Sequence, residues 1–77
     1  MGPVQLIRRE NCGLCVLAQD ILAQIPELQV IERYLEDDPE LVDQYGWRIP
    51  VVRIADLNRE LDWPFDLIKL QAFLYTP

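Results

Sequence analysis

The run Val4-Gln5-Leu6-Ile7-Arg8-Arg9-Glu10-Asn11-Cys12-Gly13-Leu14-Cys15 decides how the rest of the chain is read. Val4 to Ile7 is a short apolar run that stops at two arginines, the pattern of a mostly buried strand. Asn11 is a residue type that caps helices, and it stands directly before Cys12. Beyond it, Leu14, Leu17, Ala18, Ile21, Leu22 and Ile25 recur at helical spacing, opposite Gln19, Asp20 and Gln24, until Pro26 stops the helix. The two cysteines therefore fall where a strand has ended and a helix begins.

Working outward, Leu28 to Leu35 is rich in β-branched and aromatic residues and predicts a second strand. Val30, Glu32 and Tyr34 fall on one face, and Ile31, Arg33 and Leu35 on the other. Asp38-Pro39 starts a short helix, with Asp as cap and Pro in the first turn, that runs to Gly46. Asp37, Asp38 and Glu40 lie at its positive end, so this acidic cluster reads as capping and solvated surface rather than as a metal site. Ile49 to Ile54 is a third strand with Pro50 near its start. A turn around Asp56-Leu57-Asn58 leads to a hairpin partner at Glu60 to Trp63. Pro64-Phe65-Asp66 opens a last helix whose apolar side carries Leu67, Leu70, Phe73 and Leu74. The order β-α-β-α-β-β-α predicts an α/β fold: a mixed four-stranded sheet flanked by helices, its first two strands parallel through a right-handed crossover and its last two antiparallel.

Composition limits the function. Seventy-seven residues fit a single domain, 1–77, and a chain this short buries only about 60% of its unfolded surface. Six acidic residues in excess repel phosphate backbones, which argues against nucleic acid as a partner. With no histidine, Ser-His and Cys-His catalysis are excluded. Two cysteines supply half the ligands of a structural zinc site, so no metal site is expected, and a bond between them closes a loop too short to be a strong staple. No apolar stretch approaches the roughly 20 residues of a membrane span, and Met1-Gly2-Pro3-Val4 shows no leader pattern. The reading is a cytoplasmic monomer with no membrane partner, in whose reducing surroundings a Cys pair is catalytic or metal-binding.

The motif has a physical logic. The first turn of a helix carries unpaired N–H groups and about half a positive charge. A thiolate placed there is favoured over its thiol, and such cysteines have pKa values of roughly 3.5–7.5. Cys12 is then the exposed nucleophile and Cys15, one turn on, the resolving thiol. Gly13 leaves room for a substrate sulfur, and Arg8 and Arg9 are candidate sources of positive potential.

These residues, the element order and Ile49-Pro50-Val51 together resemble the thioredoxin superfamily, and glutaredoxins most closely, over nearly the whole chain. Trp63-Pro64-Phe65 and the leucine-rich closing helix are similar to a small group of bacterial glutaredoxin-like proteins. The resemblance implies a thioredoxin-like (glutaredoxin-like) fold and a thiol-disulfide oxidoreductase with Cys12 and Cys15 as catalytic residues. It further implies that Gly13, Leu14, Ile49 and Pro50 contact substrate, with a cis Ile49–Pro50 bond facing the cysteines and the Ile49 backbone pairing with an extended chain. The implied partner is a disulfide-containing protein or a low-molecular-weight thiol. No tightly bound cofactor is expected, and glutathione enters as a candidate external reductant. The chain departs from glutaredoxins in carrying Gly13-Leu14 where they have Pro-Tyr, and Leu61 to Asp66 where they hold the glutathione tail.

Two other classes use the same residues. One is a soft-metal module binding Cu(I) through both thiolates; Glu10, where such chaperones carry Met, and the closing helix weigh against it. The other is a redox-inactive interaction domain of the same fold. Trp47 and Trp63 are each read as core filler or partner contact, Tyr45 and Tyr75 as packing residues with a wet hydroxyl, and the acidic surface around the second helix as suited to basic partners.

Overall fold

Val4–Arg8 forms β1, the strand around which the rest is arranged. In this computed structural model, which describes residues 2–75, Met1 and the last two residues of the expected 1–77 domain lie outside the described residues. β2 (Val30–Tyr34) lies parallel to β1, from Val4 opposite Val30 to Arg8 opposite Tyr34. β3 (Val51–Ile54) runs antiparallel on the other side, with Ile7 opposite Val51 and Gln5 opposite Arg53. β4 (Arg59–Asp62) completes the sheet antiparallel to β3, giving the order β2-β1-β3-β4. The β3–β4 connection is a 3-10 turn, Ala55–Leu57, closed by Asn58 in the left-handed region (φ 51°), which Asn tolerates better than most residues. Element order and mixed sheet are those the sequence predicts.

Strand alternation sends apolar side chains to both faces. Val4, Leu6, Val52 and Ile54 pack with Ala18, Leu22, Ile25, Phe65, Leu70 and Leu74. This is the larger core, covered by α1 (Gly13–Leu22) and α3 (Leu67–Tyr75). On the opposite face Ile7 and Val51 meet Leu35, Leu41 and Tyr45, supplied by the 3-10 turn Leu35–Asp37 and by α2 (Pro39–Tyr45). Fully burying one such Leu, Ile or Val contributes about 1.5–3 kcal/mol. Among the described residues no helix is long and apolar enough to cross a membrane.

Several local expectations change. α1 ends at Leu22, and the chain turns before Pro26 through Gln24 N–H donating to Ile21 O and Ile25 N–H to Leu22 O. Its buried stripe is Cys15, Ala18 and Leu22, while Leu14 and Leu17 are about half exposed (48% and 52%). A ten-residue helix offers the sheet one narrow face, and the i, i+3, i+7 row headed by Cys15 occupies it. Asp38 caps α2 as predicted, accepting the Glu40 N–H at 3.0 Å, and Pro39 follows. Gly46 does follow the end of α2, but with right-handed dihedrals (φ −52°, ψ −33°) rather than the left-handed turn that usually calls for glycine. Crowding is the physical reason for it: a Cβ at 46 would sit 2.6 Å from the Val42 carbonyl oxygen.

One polar cluster ties α2 to the hairpin. Arg48 donates Nε and a terminal nitrogen to Asp62 (3.0 and 2.8 Å) and the same terminal nitrogen to Glu60 (2.6 Å), with its guanidinium 5.0 Å from the Tyr45 ring centre. The Tyr45 hydroxyl donates to Glu60, so it is not the wet hydroxyl expected of it; Tyr45 is buried. The Tyr45 hydrogen bond and then the Arg48 hydrogen bond hold the Glu60 carboxyl below its usual range, against the cost of burial. Burial first, and then the bond to Glu60, push the Tyr45 phenol up.

Two outcomes follow from these contacts. Gly46→Ala is expected to destabilise the protein by about 1–3 kcal/mol in urea unfolding, because the obstacle is backbone. Glu60 is easier to ionise folded than unfolded. Its contribution is therefore complete above the ordinary value of 4.5 and fades as pH falls through its lower folded value. Unfolding curves of wild type and Glu60→Gln should differ by a constant amount above about pH 5.5 and converge in acid; a gap independent of pH would contradict this.

Candidate functional site

Residues 9–11 carry the chain from β1 to α1. Asn11 does not cap the helix: it adopts left-handed dihedrals (φ 54°) and turns the chain so that Cys12 takes the capping position. Cys12 is extended (φ −114°, ψ 110°), and its Sγ accepts the Cys15 N–H at 3.2 Å while its carbonyl accepts the Val16 N–H. Sulfur thus does what an Asn or Ser oxygen ordinarily does at a helix start. The Cα atoms of Cys12 and Cys15 are 5.2 Å apart and the two residues form a disulfide. Cys15 is fully buried in the α1 stripe, whereas Cys12 keeps part of its surface in water.

When the pair is reduced, charge on Cys12 meets an N–H donor and the positive end of α1. Arg8 does not add to this. The residue is 6% exposed, and its guanidinium donates to Gln19 (3.0 Å) and Glu32 (2.9 Å) and lies 5.0 Å from the Tyr34 ring centre. Strand alternation puts Arg8 on the α1 side of the sheet, where it ties α1 to β2. Arg9 is exposed. The Glu10 N–H donates to Glu36 (3.0 Å), fastening the loop before Cys12 to the turn after β2.

The loop into β3 shares this end of the sheet. Ile7 is opposite Val51 in antiparallel register, so the chain leaving β1 toward Cys12 and the chain entering β3 through Ile49-Pro50 emerge together. The Ile49–Pro50 bond is cis. The Pro50 side chain is fully buried, its carbonyl accepts the Trp63 N–H at 3.1 Å, and Ile49 packs against the smaller core. A Cβ at Gly13 would meet nothing within 4 Å, so the space beside the cysteines is open, and Leu14 is exposed next to it. Trp63 packs against the larger core, edge-on to Phe65 (5.0 Å), across a second cis bond, Trp63–Pro64. Trp47 is 81% exposed, and Tyr75 is exposed rather than packed.

Sequence reasoning missed the fastening of the motif loop by Glu36 and the diversion of Arg8. Both depend on the β1–β2 register, which sets Arg8 opposite Tyr34 and brings the two strand ends together. Among the described residues no three His, Cys, Asp or Glu side chains are grouped to hold a metal ion. Asp38 caps α2 and pairs with Arg33 (3.2 Å), as the capping reading requires.

This arrangement has counterparts. The X-ray structure of the structural-genomics target protein XcR50 from X. campestris superimposes with a TM-score of 0.88, at 39% identity, over 96% of this chain and 97% of that one. The solution structure of XcR50 gives 0.85 at 38% identity, over 99% of this chain and 96% of that one. None of the curated proteins matches the chain. Residues 3–75, which contain the cysteine pair, the loop into β3 and all four strands, match the Glutaredoxin-like domain (DUF836), and the chain belongs to that family.

Proposed function

We propose that Cys12 and Cys15 cycle between dithiol and disulfide in thiol–disulfide exchange. The observation that carries this reading is the asymmetry of the pair: Cys12 sits at a helix cap with its sulfur accepting an N–H, partly in water, while Cys15 is fully buried one turn on. The Cys12 thiolate attacks a substrate disulfide; a Cys12–substrate bond forms, the substrate S–S bond breaks, and the released thiolate takes a proton. Cys15 then gives up its proton and attacks the Cys12 sulfur, and the second substrate thiol leaves. Two electrons have passed to the substrate, and the Cys12–Cys15 disulfide remains.

The open side of Gly13, the exposed Leu14 and the part-exposed Ile49 supply the surface against which the substrate lies, with the buried Pro50 fixing the course of the chain at Ile49. The substrate is a protein disulfide or a low-molecular-weight disulfide. An external thiol, glutathione or a dithiol, returns the electrons in a reducing compartment such as the cytoplasm. Arg8 is engaged elsewhere, so a carboxylate-bearing tripeptide gains no anchor from it.

Cys12→Ser is expected to abolish attack on a small disulfide, and Cys15→Ser to retain attack but accumulate mixed disulfides visible by intact-mass spectrometry. Redox titration of the wild type should give a reversible two-electron couple between about −200 and −270 mV. Equal loss of attack in both variants, or a pair that fails to re-form its disulfide, would remove this mechanism.

A further inference from the structure

α2 turns its outer side to solvent, where Glu40, Val42 and Asp43 are exposed. Gly46 keeps right-handed helical dihedrals and its N–H bonds Val42 O, and the turn that follows carries Trp47, four residues on from Asp43 and seven from Glu40. Tryptophan in a domain of this size ordinarily fills a core, as Trp63 does, yet Trp47 is 81% exposed. Its backbone is pinned. The next residue, Arg48, donates its N–H to Tyr45 O at 2.8 Å and has its guanidinium bound by Asp62 and Glu60. The indole therefore projects from a hydrogen-bonded turn three residues ahead of Pro50, on the loop that enters β3 beside the end of β1.

The segment that leads to it is acidic, with Asp38 paired to Arg33 and the other carboxylates exposed. Glu36, Asp37, Asp38, Glu40 and Asp43 fall within residues 36–43. Arg48 is the only cation between 36 and 48, and two carboxylates of β4 take up its charge. Glu36 reaches the motif itself through the Glu10 N–H. An exposed indole beside a row of carboxylates suits one chemical group above others: an ammonium or guanidinium is drawn both to the ring face and to the acids. An anionic partner is repelled, and a neutral apolar one gains only from the ring.

We propose that Trp47, with Glu40 and Asp43, is a docking surface for a cationic polypeptide, and that the disulfide delivered to Cys12 is carried by a protein segment with Lys or Arg beside its cysteine. The proposal rests on thiol exchange at Cys12 and names its substrate class. Because the turn that carries Trp47 is already hydrogen-bonded, docking orders the indole but not the backbone beneath it. Attraction between the acidic row and a basic segment acts mainly on encounter and KM, and salt screens it.

The test uses two peptides that share one cysteine, disulfide-bonded to 2-mercaptoethanol, and differ only in flanking lysines or glutamates. At low ionic strength the lysine peptide is expected to show a kcat/KM about tenfold above the glutamate peptide, the ratio shrinking in 1 M salt. Trp47→Ala, and separately Glu40→Gln with Asp43→Asn, should raise KM for the lysine peptide about fivefold while leaving the reaction with neutral hydroxyethyl disulfide unchanged. Equal rates for the two peptides, or a Trp47→Ala variant that slows the neutral disulfide equally, overturns the proposal. Serine-for-cysteine versions of the peptides, fluorescently labelled and followed by anisotropy, read docking without chemistry. Tighter binding of the lysine peptide, lost in Trp47→Ala, supports the surface even in a protein that fails to exchange. Equal binding of the two overturns it even in a protein that exchanges.

Discussion

The pairing of Ile7 with Val51 is the constraint on which the remaining geometry depends. β1 is buried along most of its length and shared by two neighbours, so its side chains are committed on both faces: Val4 and Leu6 toward α1 and α3, Ile7 toward α2. A slip of one residue would turn Gln5 and Arg53 into the larger core and Leu6 and Val52 out of it. That penalty locks the register, and the register brings the loop ending in Cys12 and the loop ending in Pro50 to one end of the sheet. The site is thus a consequence of sheet pairing, with its last adjustment made locally by Asn11 and the capping sulfur.

Two arginines show how the chain spends positive charge in an acidic protein. Arg8 is buried at the end of β1 and held by Glu32, Gln19 and the Tyr34 ring, which joins α1 to the edge strand β2. Arg48 joins the end of α2 to β4 through Asp62, Glu60 and the Tyr45 ring. Each sits on an aromatic face and is matched by carboxylate, so neither is left to attract an anion to the cysteines. A solvent-exposed ion pair on its own contributes little. Arg48 differs because two acceptors, a ring and a backbone carbonyl, Gln44 O at 3.4 Å, converge on one planar group.

Much of the fold was legible because its signals are local. Asp38-Pro39 and the alternation of Val30 to Tyr34 act over a few residues, and the structure keeps the elements they mark. Contacts distant in sequence explain the misses. Asn11 has the chemistry of a cap, but a short loop between a buried strand and a packed helix needed one left-handed residue, and Asn serves that need as well. Leu14 and Leu17 fit the apolar stripe by spacing, yet the sheet touches only the row headed by Cys15. Gly46 ends its helix where expected for a reason, the Val42 carbonyl, that no pattern in the sequence carries. At the site the cysteines and Pro50 stand out by residue type alone, whereas Glu36 acquires meaning only from the register, and the two readings of Trp47 are separated only by its exposure.

The position of Cys15 bears on how so short a chain combines chemistry with a core. Cys15 heads the buried row of α1, so the same atoms that would resolve a mixed disulfide also pack the helix onto the sheet. A cysteine suits both duties because the thiol is small and behaves as an apolar group when reduced. Its partner is placed the other way: Cys12 keeps part of its surface in water, and its sulfur accepts one N–H at the rim. Separating the duties by a single helical turn needs no added element, no histidine and no enclosed cavity. The proposed docking surface lies outside the motif, on the turn between α2 and β3 where Trp47 is 81% exposed.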